Sequence, residues 1–149
     1  MNKKHLKFLA IIVLVILGTC VWFFCNKNIT IKEDDICIGT IHYSYMLGID
    51  AGTEYSVSIY YKDENTYKYE VTEKKITIDG YKTEDKKVNG IISSEYDLIK
   101  LDEKYKNKKY GNLEESYIKY NIRDKGQVKD INNFIEEVFN YKDEETKKK

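Results

Sequence analysis

Residues 55–72 read YSVSIYYKDENTYKYEVT, and this stretch decides the fold of the chain. Side chains alternate in character through residues 55–61 and again through residues 67–72, which is the period of a strand with one buried face. The polar residues 62–65 between the two runs predict a turn. The stretch therefore predicts an antiparallel hairpin on which the rest of a domain can be built.

Strand-like segments continue on both sides of this hairpin. Residues 36–46 are rich in β-branched and aromatic side chains and predict a preceding strand, which a glycine-containing turn at residues 48–52 ends. Ile76 and Ile78 continue the third strand to an Asp79–Gly80 turn. We expect residues 82–90 to form a charged loop with a short edge strand at its end. These elements make a β-meander of three or four strands.

A first amphipathic helix is predicted after the meander. Ser94 is in the position of an N-cap, and Asp97 follows three residues later as in a capping box. Leu98, Leu101 and Tyr105 share one face at helical spacing. The helix is expected to end near residue 107.

A second helix is predicted at the end of the chain, after a half-buried strand over residues 116–123. Asp130 is its expected cap, and the apolar residues that follow recur at i, i+3, i+4, i+7 and i+8: Ile131, Phe134, Ile135, Val138 and Phe139. Each helix has a single apolar stripe, so both should pack on one face of an antiparallel sheet. The prediction is an α+β domain over residues 36–141, followed by a charged, flexible tail over residues 142–149.

An uncharged apolar run, FLAIIVLVILGTCVWFFC, occupies residues 8–25. A helix rises about 1.5 Å per residue, so this run would extend roughly 27 Å, close to the thickness of the hydrocarbon core. Phe8 stands at its start, and Trp22, Phe23 and Phe24 stand at its end, where an aromatic belt would meet the outer interface. The run predicts a transmembrane anchor that interacts with the lipid bilayer.

The charges on either side of the run predict its orientation. Lys3, Lys4 and Lys7 precede it without any acid, whereas acidic residues soon follow it at Glu33 and Asp34. The positive-inside rule then makes residues 1–7 a cytoplasmic stub, and residues 26–35 a juxtamembrane linker to an extracytoplasmic domain.

Two alternatives to an uncleaved anchor end in the same compartment. A cleaved signal peptide would use small residues such as Gly18 and Cys20 before the cut, and the domain would be secreted. A lipoprotein would carry its lipid on Cys20, because Leu17-Gly18-Thr19-Cys20 resembles a lipobox. We favour the anchor, because the apolar run continues past Cys20 and no polar linker follows it.

The charge of the predicted domain argues against a nucleic-acid partner. Residues 26–149 hold 22 basic residues against 25 acidic ones, a net charge of −3, whereas a nucleic-acid partner requires a basic face. The sequence is rich in lysine, isoleucine, asparagine and tyrosine and has no proline. This composition reflects A/T-rich codons and predicts a bacterial source. Cys37 is the one cysteine of the domain, so no internal disulfide is expected, and its alternation with Gly39 and Ile41 predicts a buried side chain.

Residues that could carry catalysis or hold a metal or cofactor are scarce. His42 is the domain's single histidine, and its spacing from Cys37 predicts opposite faces of one strand, so the two would not form a nucleophile–base pair. Neither histidine of the chain has a partner at metal-ligand spacing. We therefore expect no catalytic residues, no metal and no cofactor.

Tyrosine is unusually frequent in this sequence, with fourteen residues. The alternation places Tyr60, Tyr81 and Tyr117 on the sheet face away from the helices, where they form a candidate binding face. The simpler interpretation is that tyrosine suits a pleated sheet in an A/T-rich genome.

The expected function is a non-enzymatic, single-pass binding module at the bacterial cell envelope, with an envelope protein or a wall polymer as partner. A narrower form is an immunity or inhibitor protein on the outer side of the membrane. The alternative is a carboxylate-based enzyme or assembly factor acting on cell-wall polymers, since glycoside chemistry needs only two acids.

Overall fold

The computed structural model describes residues 11–16, 29–48, 51–77, 80–109, 111–122 and 125–141, with the backbone alone in residues 80–85. Residues 11–16 are helical, and all six are apolar and exposed. In these described parts, no helix has the length and apolar character needed to cross a membrane. The residues of the predicted anchor that were named above, Phe8, Trp22, Phe23 and Phe24, lie outside the described residues, as do the predicted stub and tail.

Six strands form one antiparallel sheet. They are β1 (Cys37–Met46), β2 (Gly52–Asp63), β3 (Thr66–Thr77), β4 (Gly80–Ile92), β5 (Asn112–Tyr120) and β6 (Gln127–Val128). Their order across the sheet is β4-β3-β2-β1-β5-β6. The predicted hairpin is confirmed as β2 and β3, with Val57 opposite Val71. The chain then crosses to the other side of β1, so that β5 pairs with the first strand of the meander.

Residues 82–90 belong to a strand, so the predicted charged loop is wrong. They lie within β4, a strand of 13 residues that pairs with β3 at the edge of the sheet. An edge strand gains its stability from backbone pairing and needs few apolar side chains. The exposed Lys86 and Lys87 also hinder pairing with another sheet edge.

The two helices are α1 (Glu95–Lys106) and α2 (Ile131–Phe139). The Ser94 hydroxyl accepts a hydrogen bond from the Asp97 amide at 3.2 Å, and the Asp130 carboxylate accepts one from the Asn132 amide at 2.9 Å. Both predicted N-caps are therefore confirmed. The buried residues of the two helices include Leu98, Leu101 and Tyr105 on α1 and Phe134, Ile135 and Val138 on α2.

Buried tyrosines of the sheet hold both helices in place. The Tyr43 hydroxyl donates to the Asp102 carboxylate at 2.5 Å, and the Tyr45 hydroxyl donates to the Tyr105 carbonyl at 2.6 Å, both on α1. The Tyr67 hydroxyl donates to a carbonyl in the last turn of α2, at 2.5 Å. These three tyrosines lie on one face of the sheet, so both helices cover that face. Their hydrogen bonds satisfy hydroxyl groups that burial would otherwise leave unpaired.

The residues before β1 run across the other face of the sheet, which we call the open face and which carries Thr40, His42, Ser56, Ser58 and Tyr117. The Lys68 ammonium lies 2.8 Å from the Asp35 carboxylate, and the Asn89 side chain donates to the Ile29 carbonyl at 2.9 Å. Burial raises the pKa of Asp35, but hydrogen bonds from Lys68 and the Lys32 amide outweigh it and hold that pKa below its ordinary value. Residues 29–35 are thus attached to the domain.

Candidate functional site

A cleft of about 590 Å³ opens at one end of the helix-covered face, next to the residues that follow α1. We call it the lysine cleft. Its lining includes Tyr55, Glu73, Lys75, Ile76, Lys86 and Lys108. Its volume lies within the range of roughly 300–1,000 Å³ that is usual for small-molecule sites.

Strand register brings part of this lining together. Tyr55 on β2 is opposite Glu73 on β3, and Glu73 is opposite Lys86 on β4, so the three residues form one row across the sheet. Lys108 closes the cleft from the segment after α1, with its ammonium 5.5 Å from the Tyr55 ring centroid and 5.1 Å from the Tyr105 ring centroid. Four separate segments of the chain therefore contribute to the site.

The position of Lys108 follows from a core hydrogen bond. The Lys108 amide donates to the Tyr45 hydroxyl at 3.2 Å, and that hydroxyl donates to the Tyr105 carbonyl at 2.6 Å. The cleft wall also depends on the close approach of β1 and β2. A Cβ on Gly52 would lie 2.5 Å from the Tyr45 carbonyl oxygen. Glycine is thus required at this point of the cleft wall.

The lysine cleft is positively charged. Among the lining residues that the structure describes, Lys75, Lys86 and Lys108 face one acid, Glu73, so this part of the lining has a formal net charge of +2. Among the described residues, no carboxylate lies within 4.0 Å of any of these three ammonium groups. The cleft therefore contrasts with the net charge of −3 of residues 26–149.

The register places Tyr60 and Tyr117, two of the predicted binding-face residues, on the open face. Tyr60 pairs with Cys37 and Lys68, close to the attached linker, whereas Tyr117 pairs with His42. Five positions of β1 separate these two rows, which corresponds to more than about 13 Å at the rise of a strand. A partner that touched both tyrosines would have to cover much of the open face. Tyr81 lies in β4, and its side chain is outside the described atoms.

His42 contacts two residues of the open face. Its ring stacks on Tyr117 with 4.7 Å between centroids, and its Nδ1 lies 3.0 Å from the Ser56 hydroxyl. Burial lowers the pKa of His42; the Glu54 charge raises it, and nearby lysines lower it further. A hydroxyl next to a neutral imidazole resembles a nucleophile–base pair, but such pairs also need a group that orients the base. Within the described residues, no carboxylate hydrogen-bonds to this imidazole.

Cys37 departs from its predicted position. The register of β1 and β2 shifts between Cys37 and Gly39, so Cys37 lies opposite Tyr60 on the open-face side and is only half-buried. The predictions of a buried core side chain, and of opposite faces for Cys37 and His42, are therefore wrong. The row of Thr40 still separates the two residues. Burial raises the pKa of the Cys37 thiol, which keeps it protonated near neutral pH.

Acidic groups offer little for metal binding or acid–base chemistry in the described part of the chain. No group of three His, Cys, Asp or Glu residues there could hold a metal ion. Asp102 is buried, but it accepts the Tyr43 hydroxyl in the core. The alternative of a wall-polymer enzyme requires two carboxylates in one cleft, whereas the described lining of the lysine cleft holds Glu73 alone.

Sequence patterns did not reveal the lysine cleft. Its three cations are far apart in a chain in which lysine supplies all but one of the 25 basic residues. No family model, no curated protein and no solved structure matches the chain.

Proposed function

We propose that this chain is a membrane-anchored, non-enzymatic binding protein with its domain on the outer side of a bacterial membrane. The observation that carries the proposal is the short helix of residues 11–16, in which all six residues are apolar and exposed. Successive helical residues are about 100° apart, so six of them point in every direction around the axis. A helix that exposes apolar side chains all round its axis needs an apolar environment, which a bilayer supplies.

The attachment of the linker supports a functional orientation. Lys68, which binds Asp35 of the linker, and Lys75, which lines the lysine cleft, are seven residues apart on β3. At the rise of a strand, this separation is about 20 Å. The chain thus reaches the sheet near one end, and the cleft opens near the other. In the proposed arrangement, the lysine cleft faces away from the bilayer, toward an envelope protein or a wall polymer.

Protease treatment of intact cells tests the proposed topology. The full chain would be expressed with an N-terminal epitope tag, and protease would be added outside. We expect the domain to be digested while a tagged fragment of the anchor stays with the membrane, and a cytoplasmic protein serves as the intactness control. Protection of the domain until the cells are lysed would overturn the proposal.

The same material distinguishes the anchor from its alternatives. A mature protein beginning at Val21 would show a cleaved signal peptide, and lipid attached to Cys20 would show a lipoprotein. Either result would replace the transmembrane anchor while keeping the domain on the same side of the membrane.

A further inference from the structure

We infer that the lysine cleft binds a hydroxylated organic anion through a phosphate or carboxylate group. This inference deepens the proposed binding function, because it names the ligand class of the same cleft. It does not depend on membrane topology.

The hydrogen-bond donors of the lysine cleft suit an anionic ligand. Ammonium groups are donors without acceptor capacity, and phosphate or carboxylate oxygens are acceptors, so the two are complementary. Lys75 and Lys86 are exposed and Lys108 is half-buried, and no carboxylate among the described residues pairs with any of them. Cations grouped in a concave surface focus the local potential and attract anions, even on a domain that is acidic as a whole.

One of the three cations, Lys108, is already positioned in the unliganded domain. The Lys108 ammonium lies near two aromatic rings, those of Tyr55 and Tyr105, and its backbone amide is hydrogen-bonded to Tyr45. A side chain placed before binding loses less conformational freedom when the ligand arrives. Lys108 would therefore be the main contact of the anionic group, with the exposed Lys75 and Lys86 as further contacts.

The remaining lining indicates the rest of the ligand. Leu47, Ala51 and Ile76 offer apolar surface, and Glu73 offers carboxylate oxygens that can accept a hydrogen bond from a hydroxyl group. Because Glu73 would repel a second anionic group placed next to it, a ligand with one anionic group and a hydroxylated body suits the cleft better than a polyphosphate. A sugar phosphate and a uronic acid, free or as the repeat of a polymer, both have this chemistry.

The test is an amide NMR titration of the full chain in detergent micelles at constant ionic strength. The probes are glycerol 3-phosphate and glucuronate, with glycerol and glucose as their neutral counterparts. We expect at least one of the two anions to produce saturable shifts of the Thr53, Tyr55, Glu73 and Ile76 amides, whereas the neutral compounds produce none. Which anion binds then distinguishes a phosphate from a carboxylate ligand.

Matched variants locate the binding site. Lys108→Gln and Lys75→Gln should each weaken the association constant about threefold to tenfold, as expected for the loss of one partly exposed charge contact. Lys62→Gln, near the end of β2 that lies away from the cleft, should leave the association constant unchanged. In each variant, unchanged chemical shifts of the amides outside the cleft show that the domain is folded.

Three results would overturn the inference. They are no saturable shift with either anion, equal shifts with the neutral compounds, or a loss of affinity in Lys62→Gln as large as that in Lys108→Gln and Lys75→Gln. Binding of a neutral sugar alone would refute the anion class but would keep the cleft as a binding site. Failure of the protease experiment concerns topology only, so the two proposals fail in distinguishable ways.

Discussion

Replacing Phe134 by alanine tests how the terminal helix is held on the sheet. The Phe134 side chain is fully buried, and its ring meets the ring of Tyr120 edge-on, with 5.4 Å between centroids. It also packs against Gly39, where an added Cβ would lie 2.7 Å from the ring. Gly39 has no side chain that could move into the space left by the ring, and the backbone of a central strand cannot collapse into it. We therefore expect a loss of about 3–5 kcal/mol in the free energy of unfolding, the range for Phe→Ala changes in a core.

This loss is large relative to the net stability of a domain, roughly 5–15 kcal/mol. Urea unfolding of the full chain in micelles, followed by near-ultraviolet circular dichroism of the tyrosines, would measure it. Glu136→Ala on the exposed side of the same helix is the control, and it should change stability by less than about 0.5 kcal/mol. If Phe134→Ala changed stability no more than this control, the stripe would not be core. Weaker capture of a partner protein in that case would identify it as an interface.

Two further predictions concern polar groups. Tyr43→Phe leaves the buried Asp102 carboxylate without its 2.5 Å donor and should cost about 1–3 kcal/mol in urea unfolding, whereas Tyr96→Phe at an exposed position should cost almost nothing. Equal effects of the two changes would show that the Tyr43–Asp102 hydrogen bond does not stabilise the fold. Because burial lowers the pKa of folded His42 below its ordinary value of 6.5, protonation favours the unfolded chain, and the contribution of His42 is lost as pH falls below 6.5. His42→Gln should therefore lose less stability than the native protein between pH 8 and pH 5, and an identical pH dependence of the two proteins would contradict this.

The elements that were predictable from sequence have a periodic burial pattern. The hairpin of β2 and β3 and the helix α2 each bury one side, so apolar residues recur at the period of the strand or the helix. β4 lacked such a signal, because an edge strand full of charged residues resembles a loop. Cys37 was misplaced because a register shift of one residue moves a side chain to the other face of the sheet, and nothing in the surrounding sequence marks that shift.

The lysine cleft could not be predicted from the sequence, for a related reason. Glu73 and Lys86 meet through the register of two long strands, and Lys108 reaches them only after the α1 crossover. Spacing along the chain predicts contacts within one helix or one strand. A site assembled from four segments has no such spacing, so its lysines look the same as the many solvent-exposed ones.

The abundance of tyrosine has a physical role that neither sequence interpretation included. A phenol ring contributes apolar area to the core, and its hydroxyl can reach across the gap between a sheet and the helix that covers it. Phenylalanine at Tyr45 would fill the same space, but the Tyr105 carbonyl and the Lys108 amide would lose their hydrogen bonds to the hydroxyl. Because the Tyr45 hydroxyl binds both the Tyr105 carbonyl and the Lys108 amide, it sets where the cationic wall of the lysine cleft lies. The residues that stabilise the core on this side of the sheet therefore also determine the geometry of the proposed anion site.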